Sequence, residues 1–160
     1  LDQSEDARQA IQEAILYAKS ARDFDAEANM LINLGEACVV AGDYAQAFEA
    51  YTVARGLISR LERPDDEAYV VGRLGVVLAE LGQLNEAVTH HQEAAELARQ
   101  RNIPDLRGEQ LTMLALAAMD QQKTEQAQSY CQEAIRVFSS AQLAEQEANA
   151  RQLLAEITSQ

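Results

Sequence analysis

The chain has 160 residues, a hydrophobic share of 48%, only 5% aromatics, and a formal charge of -13 from thirteen basic and twenty-six acidic residues. That length suits one domain with a real core, and the alanine-rich, aromatic-poor composition suits helices rather than disorder. The negative charge repels phosphate backbones and anionic lipid, so nucleic acid and membrane surfaces are excluded as expected partners, and no apolar run approaches the roughly 20 residues that span a bilayer.

Two prolines and seven glycines leave long uninterrupted segments. Runs of valine, isoleucine and threonine with period two are missing, so no sheet is expected. Cys38 and Cys131 lie more than ninety residues apart with no third cysteine, which points to free buried thiols and a reducing, cytoplasmic setting. The sequence opens at Leu1 with neither a methionine nor a signal-peptide pattern, and is read as a piece of a larger protein.

Residues 4–21 read as a first helix, with Ser4 as N-cap and Ala7, Ile11, Ala14 and Ala18 on one face. Asp25 begins a second helix; Asp65 and Asp105, forty and eighty residues on, follow Pro64 and Pro104, and all three are expected as helix caps. These helices run through Leu34, Leu74 and Leu114 to turns at Ala41-Gly42-Asp43, Leu81-Gly82-Gln83 and Gln121-Gln122-Lys123. Gly42 and Gly82 suit the left-handed conformation that ends a helix, whereas the third turn has no glycine and is expected to be less well defined. Partner helices follow at about 44–61, 84–101 and 124–140, and a last one at about 142–158. The expected total is about eight helices, all-α.

Chemistry-bearing patterns are sparse. His90 and His91 are adjacent, so they point about 100° apart on a helix and cannot jointly grip one metal. His91 reads as a packed structural histidine, and Cys38 and Cys131 as small buried residues without a sequence partner that would mark a nucleophile. The run Asp65-Asp66-Glu67 sits at a helix start, where capping accounts for it. With no phosphate loop, zinc spacing or triad pattern, no enzyme activity, cofactor or metal is expected.

What organises the chain is an internal repeat. Leu31, Leu34, Gly35, Cys38, Ala47, Tyr51 and Ala54 are followed after forty residues by Val71, Leu74, Gly75, Leu78, Ala87, His91 and Ala94. After forty more come Leu111, Leu114, Ala115, Ala118, Ala127, Cys131 and Ala134. This skeleton resembles the tetratricopeptide repeat, TPR. The period is forty rather than the family's 34, and the proline that ends the second helix is displaced to Pro64 and Pro104. Those departures resemble the long-repeat subclass of Pins-type adaptors, kinesin light chains and bacterial signalling proteins. The resemblance implies an α-solenoid of antiparallel helix pairs, a right-handed superhelix, with residues 1–160 forming a single repeat domain.

It also implies an inner surface that grips a peptide. Leu31, Leu34 and Cys38 point within about 60° of one another toward the seam, leaving Asn29, Asn33, Glu36 and Val40 on the opposite side. Register extends that surface to Tyr69, Arg73, Val76 and Glu80, to Glu109, Met113, Leu116 and Asp120, and to Asn149, Leu153, Glu156 and Gln160. Asn33 is expected to hold a peptide backbone and Arg73 a ligand carboxylate, with Tyr69, Val76, Met113 and Leu116 offering apolar contact. A single basic residue on this surface does not suit the multi-cation carboxylate clamp of chaperone-binding relatives. The expected function is a scaffold or sensor that binds a protein or amphipathic peptide on its concave surface. The alternatives are a homo-oligomer stacked through its exposed terminal helices, and a regulatory region of a larger signalling protein.

Overall fold

The computed structural model describes residues 2–159, with side chains from Arg8 to Ser159. Ala7 and Gln160, placed by register above, lie outside the described side chains. The elements are α1 Asp2–Ala21, α2 Phe24–Ala41, α3 Tyr44–Arg60, α4 Pro64–Glu80, α5 Leu84–Arg101, α6 Pro104–Asp120, α7 Thr124–Ser140 and α8 Ala144–Thr158. The architecture is the expected all-α solenoid of helix pairs, and no strand occurs among the described residues. Two compact units divide it, residues 1–87 and residues 88–160.

Within the first unit α1 packs on α2, α2 on α3 and α3 on α4. Its core gathers Leu31, Leu34 and Cys38 of α2, Ala47, Tyr51, Ala54 and Ile58 of α3, and Val70, Leu74 and Val77 of α4. The helices come close where Gly35 lies under the ring of Tyr51. A Cβ at position 35 would meet the Tyr51 Cε1 atom at 2.5 Å, far inside van der Waals contact. Tyr51 is fully buried, so the ring has no open space to yield into.

Within the second unit α6 packs on α7 and α7 on α8. Leu111, Leu114, Ala134, Ile135, Phe138 and Ala150 form one cluster, and Ala115, Ala118, Ala127, Cys131 and Ile157 another. Here alanine replaces the glycine of the first copy and cysteine replaces its tyrosine, so a Cβ is present where no ring lies opposite. The close contact in this unit lies elsewhere: a Cβ on Gly108 would meet Phe138 Cε1 at 2.2 Å.

The connections repeat every twenty residues, not only every forty. Arg22, Gly42, Glu62, Gly82, Asn102, Gln122 and Gln142 all take positive φ, between 54° and 78°. At each, that residue donates its N–H to the carbonyl three back, and the next residue donates to the carbonyl five back, as in Gln122 N–H to Met119 at 2.8 Å and Lys123 N–H to Ala118 at 2.9 Å. This is the Schellman arrangement, and the residue after the left-handed one already serves as N-cap of the following helix. The carbonyl five back belongs in turn to Ala18, Cys38, Ile58, Leu78, Ala98, Ala118 and Phe138, every one of them buried. A buried anchor thus fixes where each helix stops.

Three expectations change. The Gln121-Gln122-Lys123 turn is as regular as the others, because two backbone hydrogen bonds and the buried anchor impose the left-handed conformation on Gln122. Asp25, Asp65 and Asp105 are not caps: Asp23 caps α2 by accepting from Ala26 N–H, while Arg63 and Ile103 precede α4 and α6 with no side-chain cap bond. The three aspartates lie in the first turn, where they meet the positive end of the helix dipole. Ser4 lies inside α1, which begins at Asp2, and its side chain is outside the described residues.

The left-handed well costs an L-residue roughly 1–2 kcal/mol, partly offset by the larger unfolded-state entropy that glycine would bring. Gln122→Gly is therefore expected to raise unfolding stability by about 0.5–1 kcal/mol in urea titration. A loss of stability would show that the turn is held in some other way.

Candidate functional site

In the first unit the candidate surface is built by α2 and α4. Tyr51 comes through from α3: its ring lies on Gly35 and its hydroxyl emerges beside Glu36, to whose Oε1 it donates. The Tyr69 hydroxyl donates to the same oxygen at 2.8 Å. Arg73 grips the carboxylate with two nitrogens, Nε to Oε1 at 2.8 Å and Nη2 to Oε2 at 2.9 Å. Three side chains, Tyr51 of α3 and Tyr69 and Arg73 of α4, thus bring four donor atoms onto the one carboxylate of α2. Fork-like pairing of this kind is among the stronger protein hydrogen-bond geometries.

The electrostatics follow from burial, complete for Tyr51 and partial for Arg73. Burial and the neighbouring Glu36 carboxylate push the Tyr51 hydroxyl well above the usual tyrosine range. Burial works against the Arg73 guanidinium, but the Tyr51 hydroxyl and Glu36 outweigh it and hold the cation more firmly. Arg73 therefore stays a cation, already committed to Glu36 rather than open to a ligand carboxylate.

The other residues of this face are placed around that network. Asn29 is exposed and accepts from Arg63 Nη2 at 2.8 Å. Arg63 also donates to Asp66 at 2.6 Å and approaches Asp25 at 3.4 Å. Asn33 is exposed one turn from Asn29, Val76 is half-buried, and Val40 is 86% exposed at the end of α2. So Glu36, Tyr69 and Arg73 come together as a unit, Asn29 belongs to a second network, and Asn33 and Val76 flank them. Two participants were missed by sequence reasoning. Tyr51 was read only as the buried motif aromatic, since periodicity reports a ring's side and not the reach of its hydroxyl. Arg63 sits in a turn outside the helical register and gave no periodic signal.

In the second unit the corresponding surface is built by α6 and α8. Glu109 is exposed, Met113 and Leu153 are half-buried, and Leu116 is 40% exposed. A pocket of about 260 Å³ opens between these helices, with Met113, Phe138 and Ala150 as apolar walls and Asp105, Glu109 and Gln146 among its polar lining. It brings Glu109 and Met113 together. Leu116 and Leu153 are not part of its lining, and Leu153 packs instead on the Cys131 cluster. A larger open depression of about 590 Å³ lies between α6 and α7, where Arg107 donates to Glu133 at 2.6 Å.

The remaining chemistry-bearing residues are sequestered. His91 is 3% exposed, with Nδ1 2.8 Å from Gln110 Oε1, and burial pushes its pKa down. Burial pushes both thiols up, Cys38 and Cys131 alike, which keeps them protonated and poorly nucleophilic at neutral pH. Cys131 donates to the Ala150 carbonyl at 3.1 Å. Among the described residues no group of three His, Cys, Asp or Glu is arranged to hold a metal, and no helix is long and apolar enough to cross a membrane.

Comparison with known proteins agrees with this fold. Tetratricopeptide repeat family models match residues 26–100 and 111–139, together more than half of the chain. No match is found among curated protein sequences. Among solved structures, BtubC (BKLC) from P. vanneervenii is similar with a TM-score of 0.81 at 17% identity, over 96% of this chain and 65% of that one. Aspartyl phosphate phosphatase F from Bacillus subtilis is similar with a TM-score of 0.79 at 20% identity, over 82% of this chain and 34% of that one. The kinesin light chain-like, nearly identical TPR-like repeats from Podosopora anserina give 0.74 at 15% identity, over 99% and 86%. The chain therefore spans about two thirds and one third of the length of the first two. At these identities the likeness speaks for the fold alone. With the paired helices, their forty-residue register and the two family matches in agreement, the chain belongs to the tetratricopeptide repeat family.

Proposed function

We propose that the chain is a protein-interaction module, without catalytic chemistry of its own, whose units each offer a face to a partner segment, α2 and α4 in the first and α6 and α8 in the second. The observation that carries this reading is the network on Glu36. Tyr51, Tyr69 and Arg73 hold its carboxylate before any partner arrives, so these groups need little ordering on binding, and preorganisation of that kind favours affinity. Exposed Asn33 beside the network offers an amide that both donates to and accepts from a peptide backbone. The partial coverage of BtubC and of aspartyl phosphate phosphatase F supports a part of a larger protein, in which such a module would serve recognition or regulation.

A second reading, self-association through the terminal helices, is favoured by one observation: Leu16 and Tyr17 of α1 are 66% and 78% exposed. Static light scattering over a concentration series tests it. Self-association predicts a mass that grows with concentration and stays monomeric in Leu16→Ser, Tyr17→Ser; a monomer throughout removes this reading.

The main proposal is tested by selecting a binding peptide from a random display library, then measuring its affinity for wild type and for Asn33→Ala, Arg73→Gln by fluorescence anisotropy. The double variant is expected to bind about tenfold more weakly, roughly 1.4 kcal/mol, while Val53→Ser, at an exposed position of α3, binds as wild type. Unchanged affinity of a folded double variant for every selected peptide would place recognition elsewhere.

A further inference from the structure

We infer that the α6–α8 pocket of the second unit takes an apolar side chain carried beside lysine or arginine, so that the partner recognised there is a basic amphipathic peptide. This assignment rests on the interaction function proposed above and names the chemistry of its partner at one place.

The pocket has a structural cause. Phe138 lies flush on the bare backbone of Gly108, where a Cβ would stand 2.2 Å from the ring. The ring is drawn toward α6, and the space left between α6 and α8 is walled by Met113, Phe138 and Ala150. At about 260 Å³ it falls below the roughly 300–1,000 Å³ usual for small-molecule pockets. That is room for one or two apolar side chains rather than for a cofactor. Methionine in its wall adapts to differently shaped anchors.

The rim decides which peptide brings the anchor. Asp105 and Glu109 are one turn apart on the same side of α6, and the lining holds no lysine or arginine. Two cations of this unit are paired with other carboxylates, Arg107 with Glu133 at 2.6 Å and Arg151 with Glu147 at 2.6 Å. The Asp105 carboxylate has only a long contact from Gln146 Nε2, at 3.5 Å. The whole chain carries -13. A basic segment is steered to such a rim and can lay its aliphatic stems along the apolar wall, whereas an acidic segment meets like charge.

Three fluorescein-labelled peptides on one amphipathic template test the assignment: leucine anchors flanked by lysine, leucine anchors flanked by glutamate, and serine in place of leucine flanked by lysine. The lysine–leucine peptide is expected to bind at least tenfold more tightly than the other two at physiological salt. Met113→Gln and the pair Asp105→Lys, Glu109→Lys should each weaken it about tenfold, with circular dichroism confirming folded variants, while Asn33→Ala in the other unit should leave it unchanged. Equal binding of the glutamate peptide, equal binding of the serine peptide, or no binding of the lysine–leucine peptide overturns the assignment. If, alongside such a result, a library-selected peptide still loses affinity through Asn33→Ala, Arg73→Gln, the general function stands and only this pocket's partner is wrong.

Discussion

The ring of Tyr51 resting on Gly35 is the contact on which most of the first unit depends. A side chain at position 35 would stand 2.5 Å from the ring, so the absence of a Cβ sets how closely α2 and α3 approach. That same placement carries the Tyr51 hydroxyl past the seam to Glu36, where Arg73 and Tyr69 join it. Core packing and the organisation of the candidate surface are therefore one event. Pushing the ring outward would loosen the seam and displace the hydroxyl from the carboxylate that Arg73 neutralises.

The turns supply the second constraint. A single left-handed residue, closed by two backbone hydrogen bonds and anchored by a buried residue four places before it, reverses the chain seven times at intervals of twenty. Because the last residue of each turn is also the N-cap of the next helix, helix length has almost no freedom. Equal helices then keep equivalent side chains in equivalent places, so Glu36 of α2 lies beside Tyr69 and Arg73 of α4 in a fixed register. Five of the seven left-handed residues are not glycine. Tertiary anchoring overrides a local preference worth roughly 1–2 kcal/mol at each of them.

Much of this was readable in the residues. The recurrence of Leu34, Leu74 and Leu114 and of the small residues Ala47, Ala87 and Ala127 gave helix number, order and pairing, because buried positions tolerate few side chains and so repeat visibly. The twenty-residue turn was hidden, since Arg22, Gly42, Glu62 and Asn102 share a backbone conformation but no chemistry. Reading Gln122 as a weak turn failed for that reason. The caps failed because Pro64 and Pro104 occupy the first helical position themselves, which moves Asp65 and Asp105 one place inward. On the surface, periodicity placed Glu36, Tyr69 and Arg73 on one side of their helices, yet it carries no distance, so their mutual pairing was not legible. The pocket on Phe138 was invisible for a related reason: Gly108 lies outside the repeated skeleton.

The two units solve the same packing problem with different volumes. Glycine lies under a tyrosine ring in the first, while alanine and the much smaller cysteine stand at the equivalent places in the second, Ala115 and Cys131 both being fully buried. Whether a Cβ fits at this place then depends on whether a ring lies over it. The most direct measurement is a double-mutant cycle by urea denaturation on Gly35→Ala and Tyr51→Cys, which transplants the pair of the third copy into the first. Gly35→Ala alone should destabilise by about 1–3 kcal/mol through overpacking. With Tyr51→Cys present it should cost nothing or gain up to about 1 kcal/mol, as alanine does over glycine in an open helix. An equal cost in both backgrounds would contradict the claim that the ring on Gly35 sets the approach of α2 and α3.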